Sequence, residues 1–231
     1  AAGGNAATAA NWNPAQVPTA ASLLVWNLNN TYTVTWNSSV IASNTHTLKK
    51  GVVTYSLSSP HTIGAGGLRV GDVSGDTATL TLTTGTLNSS GSGIIGNASG
   101  STGTLNVNDD DAEFLINGAG ADLIIGNSGP GTMNLSGGGL VQVADLFSAG
   151  SNSTGTSVLS LTGATNSLPV TRSRLLVLGT SQSRFGAGGD TTVNISNGAL
   201  ADFGGDLVVS NGSASVSSVT VQGQGGLIPT S

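Results

Sequence analysis

A short apolar strand closing on Gly or Ser recurs along most of this 231-residue chain, and no other feature restricts the fold as tightly. From residue 67 onward the marks read Leu68-Arg69-Val70-Gly71, Ile94-Ile95-Gly96, Leu123-Ile124-Ile125-Gly126, Leu146-Phe147-Ser148-Ala149-Gly150, Leu176-Val177-Leu178-Gly179 and Leu207-Val208-Val209-Ser210. Their closing residues stand 25, 30, 24, 29 and 31 positions apart. A second strand follows each mark. Leu80 and Leu82 lie 9 and 11 residues after Gly71, and the same offsets reach Leu105 and Val107, Leu159 and Leu161, and Val219 and Val221. Met133 and Leu135 arrive two residues early; Val193 and Ile195 arrive five late, after a longer loop over 181–190. Thr81, Asn106, Asn134, Ser160, Asn194 and Thr220 separate the apolar pairs. Alternation with a period of two means one buried face and one wet face.

A third strand often follows a Gly-containing turn, as in Glu113-Phe114-Leu115-Ile116 and Leu140-Val141-Gln142-Val143. Gly85, Gly137-Gly138-Gly139, Asn197-Gly198 and Asn211-Gly212 punctuate the junctions, and Gly and Asn tolerate the positive φ of tight corners. Two or three strands per unit, with no helical periodicity, predict an all-β parallel β-helix in which each unit is one coil. A coil cannot bury its own face, so stacking creates the core. About six coils are expected over residues 67–231. A β-sandwich or jelly roll of hairpins is the competing fold. Residues 1–66 break the pattern and hold Trp12, Trp26, Trp36, Tyr32 and Tyr55; they are read as an extended N-terminal segment and aromatic-rich first coils or cap.

Charge narrows the partners. Only 7% of residues are charged and the net charge is −5, against roughly 25% charged in an ordinary soluble domain. The six basic residues, Lys49, Lys50, Arg69, Arg172, Arg174 and Arg184, form no stripe that would neutralise a phosphate backbone, so nucleic acid is not an expected partner. There is no cysteine, hence no disulfide framework. The longest apolar runs, such as Leu175 to Leu178, are far too short to span a bilayer as a helix. The chain starts Ala1-Ala2-Gly3-Gly4 without Met, as a chain does after signal-peptide removal.

Asn11-Trp12-Asn13-Pro14-Ala15-Gln16-Val17-Pro18-Thr19-Ala20, followed by units of the form apolar-Val-Gly … Gly-Thr-Leu-Asn-Val, resembles bacterial extracellular repeat proteins: autotransporter passenger domains and surface proteins bearing PEP-CTERM sorting signals. The resemblance covers nearly the whole chain and implies export and a right-handed β-helix. Ser22 stands where many such proteins carry an acidic residue after the Val-Pro segment. Neither a C-terminal membrane anchor nor a translocator barrel occurs up to Ser231, so attachment by those routes is not expected.

Few residues suggest chemistry. Asp109-Asp110-Asp111 with Glu113 is the one acidic cluster, a candidate for Ca²⁺ set against a plainly solvated turn. Gly118-Ala119-Gly120-Ala121-Asp122-Leu123-Ile124 matches one half-repeat of a Ca²⁺-binding β-roll, which needs consecutive copies. His46 and His61 are expected at the surface; neither has a neighbouring acid at zinc spacing, and no Gly-x-Ser-x-Gly elbow accompanies them. A β-helical polysaccharide lyase or hydrolase would draw on Asp145, Asp190, Asp202 or Asp206 with Arg172, Arg174 or Arg184, but nothing in the sequence gathers these. Trp26 and Trp36 fall in apolar strands and read as core, while Trp12 is the candidate for sugar contact. Eight Asn-x-Ser/Thr sequons occur; Asn29, Asn37, Asn88, Asn97, Asn152 and Asn211 are the candidate glycan carriers, with Asn134 and Asn194 the remaining two.

The expectation is therefore a secreted, non-catalytic structural protein without a cofactor, assembling head to tail into a filament or surface layer. Its small, uncharged N-terminal residues 1–10 are expected to lie along a neighbouring copy. An adhesin or carbohydrate-binding module, contacting surface polysaccharide, is the alternative; an enzyme is the remote one.

Overall fold

The computed structural model describes residues 3–152, 154–163, 172–210, 212, 215–223 and 226–229. Every strand pairing is parallel, and each strand hydrogen-bonds to the equivalent strand one coil earlier or later. A sandwich of antiparallel hairpins is thereby excluded. The chain winds as a β-solenoid of about eight turns, more than the six expected.

Each complete coil has three faces. Face one stacks Thr31–Trp36, Lys50–Leu57, the first half of Thr77–Ser89, Thr102–Asn108, Gly131–Ser136, Ser157–Thr162, Thr191–Ser196 and Ser217–Val221. Face two runs from the starts of Ala42–Leu48 and His61–Val70 and the second half of Thr77–Ser89 through Ala112–Ile116, Leu140–Val143, Arg174–Val177 and Leu200–Phe203 to Gly226–Pro229. Face three begins at Leu23–Trp26 and passes through the ends of Ala42–Leu48 and His61–Val70 to Gly93–Ile95, Leu123–Ile125, Phe147–Ala149, Ser183–Phe185 and Leu207–Val209.

The extra turns come from the aromatic segment, which forms regular rungs. Trp26 pairs with Leu48 and Leu48 with Val70, so Asn27 and Lys49 occupy the corner that Gly71 fills one coil on. Without Gly at that corner, these early rungs lack the recurrent mark. One mark is also reassigned. Phe185, not Leu178, stands beside Ala149 on face three, and Arg174–Val177 belongs to face two. The corner glycine of that coil is thus Gly186. Val193 and Ile195 follow it at the same offsets by which Met133 and Leu135 follow Gly126, and the apparent delay disappears.

Alternate residues of the strands between Leu23–Trp26 and Leu200–Phe203, Phe147–Ala149 apart, point into one continuous column. Leu80, Leu82, Leu105, Val107, Leu159 and Leu161 are fully buried on face one. Opposite them Phe147, Phe185 and Phe203 meet edge to face, with centroids 5.8–6.3 Å apart. Burying one such side chain stabilises by about 1.5–3 kcal/mol. The coils turn at residues with positive φ. Gly126, at φ +67°, lies so close to the next coil that a Cβ would run into the Thr156 carbonyl oxygen.

Candidate functional site

Three places in this frame gather polar side chains: the aromatic N-terminal end, an acidic turn, and ladders along the coil surface.

The N-terminal end differs most from the sequence reading. His46 and His61 are buried, not exposed. They take inward positions on Ala42–Leu48 and His61–Val70, in the same alternation as Leu48 and Ile63. Trp36 stacks on His46 at 5.3 Å and covers His61 at 4.0 Å. Their nitrogens are used internally. The His61 Nδ1–H donates to the Val40 carbonyl at 3.0 Å, since a carbonyl can only accept. That leaves His61 Nε2 to accept from Ser43 Oγ at 2.9 Å. Ser43 Oγ in turn accepts from His46 Nε2 at 2.6 Å, and His46 Nδ1 accepts from the Tyr55 hydroxyl at 3.0 Å. Every bond in this chain runs the same way. Burial lowers the pKa of both histidines: His46 falls well below its usual value, helped by the charge of His61, and His61 falls to about 4 despite its backbone bond. Burial likewise pushes the Tyr55 hydroxyl well up. Two neutral imidazoles flank a serine here, but Ser43 is 1% exposed. No substrate reaches it. The group holds the first rungs together.

Trp12 closes this end. Its indole N–H donates to the Ala6 carbonyl at 2.8 Å, and its ring packs on Trp26 and Trp36 at 6.0 and 6.4 Å. The preceding residues fold back: Gly4–Asn5 pairs with Val34 and Thr35 of the same chain. The expected arm along a neighbour is, over these residues, a strand of its own first coil, because Ala6 is drawn into the core. Beside Trp12 lies a cleft of about 700 Å³ that also touches Asn11, Asn13, Gln16, Leu23 and Val25 and carries no charged side chain. Trp12 thus has one partly exposed ring in a cleft and its polar edge already occupied.

The acidic turn joins Thr102–Asn108 to Ala112–Ile116. Asp109, Asp110 and Asp111 are exposed, with carboxylate oxygens within 4.8 Å of one another. The hydrogen bond to Asp109 and the neighbouring charges raise the Asp110 pKa. Among the described residues this is the single group of three or more His, Asp or Glu side chains within reach of one ion. Glu113 and Asp122 do not join it. Glu113 accepts from Thr86 Oγ1 at 2.8 Å, and Asp122 accepts from the Leu146 N–H at 3.2 Å. The acids considered for glycan cleavage are dispersed likewise: Asp145 accepts from Ser181 at 2.6 Å, Asp190 from the Val216 N–H at 2.8 Å, and Asp202 stands 4.0 Å from Arg174.

Asparagine ladders went unrecognised in the sequence. At one corner Asn97 donates to Asp72 at 2.8 Å, Asn127 to Asn97 at 2.9 Å, and Asn152 to Asn127 at 3.0 Å. On face one Asn106 donates to Thr81 at 3.1 Å and Asn134 to Asn106 at 2.8 Å. The pairs Gly96-Asn97 and Gly126-Asn127 carried a readable signal for the first ladder. These bonds bear on glycosylation, since a glycan on Asn97, Asn134 or Asn152 would attach to the nitrogen that makes the ladder bond. Asn29 is exposed. Asn37 donates to Asn5 at 3.3 Å, and Asn88 accepts from Asn117 at 3.4 Å. Asn211 lies outside the described residues.

Face one also forms straight columns. Thr79, Thr104, Thr132, Val158, Thr192 and Ser218 occupy one, and Thr81, Asn106, Asn134, Ser160, Asn194 and Thr220 the next. All are exposed or half-buried.

No protein-family model, no curated protein and no solved structure matches the chain.

Proposed function

We propose that the chain is a non-catalytic structural protein of the bacterial cell exterior, a subunit of a filament or surface layer. The observation that carries this reading is the pattern of unpaired strand edges. Within the stack each rung pairs on both sides. At the two ends of face three, Leu23–Trp26 pairs only with Ala42–Leu48, and Leu207–Val209 only with Ser183–Phe185, among the described residues. Such edges present free backbone donors and acceptors to another strand. Because the solenoid is parallel throughout, the last face-three rung of one copy meets the first face-three rung of the next in the same sense, beside the end of face one that Gly4–Asn5 covers, and a contact repeated without closure makes a filament. Val209, Val216 and Val221 are exposed near the last rungs and supply apolar surface for it. The sparsely charged exterior supports close approach of copies, since little like-charge repulsion opposes it. Electron microscopy of the native material tests the reading: fibres or a layer are expected, and isolated rods that stay monomeric at high concentration would overturn it.

The cleft beside Trp12 favours a second reading, an adhesin for neutral surface polysaccharide. Amide side chains and an aromatic ring without charge suit an uncharged sugar. Binding on a glycan array that is lost on Trp12→Ala is its test.

A further inference from the structure

Face one carries an array that end-to-end assembly leaves free. From the rung of Thr77–Ser89 to that of Ser217–Val221 its two central columns advance without a register slip. Every position in them is Thr, Ser or Asn except Val158. Rungs repeat about every 4.8 Å along the rod, and outward residues about every 6.6 Å across it. Hydroxyl, amide and methyl groups therefore stand at fixed spacings both along and across the rod.

The array is also held still. Asn106 and Asn134 spend one N–H each inside the ladder, which fixes their amides and leaves the second N–H of each for an external partner. Thr79, Thr104, Thr132, Val158 and Thr192 are all β-branched, so their methyl groups are locked at χ1. Val158, between Thr132 and Thr192, has the shape of a Thr and continues the row of methyl groups.

The chemistry narrows the partner. No charged side chain stands in either column, so phosphate, acidic peptide and anionic membrane find no counter-charge. The aromatic residues lie elsewhere: the four phenylalanines, Tyr32, Tyr55, Trp26 and Trp36 are buried, and Trp12 closes the N-terminal end. The face thus has no ring to stack on the C–H face of a pyranose, and none of the aromatic or Arg anchors on which protein interfaces rely. What remains is hydroxyl, amide and methyl at fixed intervals. Each such contact is weak, and their sum becomes useful only against a partner that offers hydrogen-bonding sites with a repeat of its own.

We propose that face one binds ice. Water held at one rung is related by simple translation to water held at the next, and a solid lattice of water can join that pattern where liquid water or a single sugar cannot. The surface lies along the side of the rod, so the inference stands whether or not the ends polymerise.

Ice growth in the presence of the full chain is the test. The purified protein is expected to hold a seed crystal unchanged below its melting point and to slow recrystallisation of fine-grained ice. Thr104→Lys with Thr132→Lys, on adjacent rungs, is expected to cut that freezing-point gap about twofold or more. Gln142→Lys, on face two, should leave it unaltered. Unchanged melting temperature and circular dichroism separate loss of the surface from loss of the fold, and Thr104→Val, which keeps the methyl, should retain most of the effect. Ice growth indistinguishable from that with an inert protein would overturn the proposal. So would an equal loss in Gln142→Lys. Sedimentation of the chain with microcrystalline cellulose or chitin, or face-one dimers abolished by the two lysines, overturns it too if ice growth is unaffected.

Discussion

The residues that matter most to this solenoid are those where the chain has no freedom to vary. Gly126 and Gly120 have nearly the same positive φ, +67° and +68°, but only Gly126 faces the next coil; nothing lies within 4 Å of a Cβ at Gly120. Gly120→Ala is expected to cost about 1–2 kcal/mol, the left-handed strain alone. Gly126→Ala adds a backbone collision and should cost well over that. Urea melts of the two variants check this, and equal losses would refute it. His61 supplies a second prediction. Its folded pKa of about 4 lies below the unfolded value of about 6.5, so the unfolded chain binds the extra proton between those limits. Stability should therefore fall as pH drops from about 6.5 to about 4, by about 3 kcal/mol from this group, and fall no further on its account below that. His46 pulls in the same direction. Identical melts at pH 7 and pH 4.5 would show that the buried pair is not what limits acid stability.

At the level of strands and ladders, packing dominates over hydrogen bonds. Leu105→Ala removes a fully buried side chain and should cost about 2–5 kcal/mol. Asn134→Ala breaks one ladder bond on a half-exposed face and should cost about 0.5–1.5 kcal/mol. Thermal denaturation of both variants measures the difference; a reversed order would mean that the ladders, not the core, hold the coils in register. The strands of face one were legible because alternation declares them: Leu80-Thr81-Leu82 and Leu105-Asn106-Val107 can only be half-buried strands. The short strands of face three were legible where Gly closes them. Arg174–Val177 was misplaced because it is equally apolar and is followed by Gly179, while the true corner at Phe185-Gly186 is preceded by charged Arg184. The histidines were misread for a different reason. Single polar residues in a strand carry no sign of the partners that make burial tolerable, and Val40, Ser43 and Tyr55 come from separate elements. Local sequence cannot show that convergence. The three tryptophans gave a partial signal: two read correctly as core, whereas the closure by Trp12 depends on the return of Gly4–Asn5 to the first coil.

The whole molecule behaves as a one-dimensional stack. About eight turns at about 4.8 Å per rung give a column of about 40 Å, and each coil contacts only its neighbours. Protection against amide exchange should therefore follow position along the rod. Among the described residues it is expected to be highest over 93–152 and 154–161, where inward residues are covered on both sides, and lowest over 207–210 and 215–221, where Val209 and Val221 are exposed. Exchange measured by mass spectrometry checks this; uniform protection would mean that the coils unfold as one unit.

The buried chain from Tyr55 to Val40 has a consequence for proton movement. A line of hydroxyl and imidazole groups conducts only if every bond can reverse its sense after a proton has passed. Here the last acceptor is a peptide oxygen, which has no hydrogen to return, so the row is locked in one polarity. It fastens two neighbouring coils as a rivet does, and carries no current.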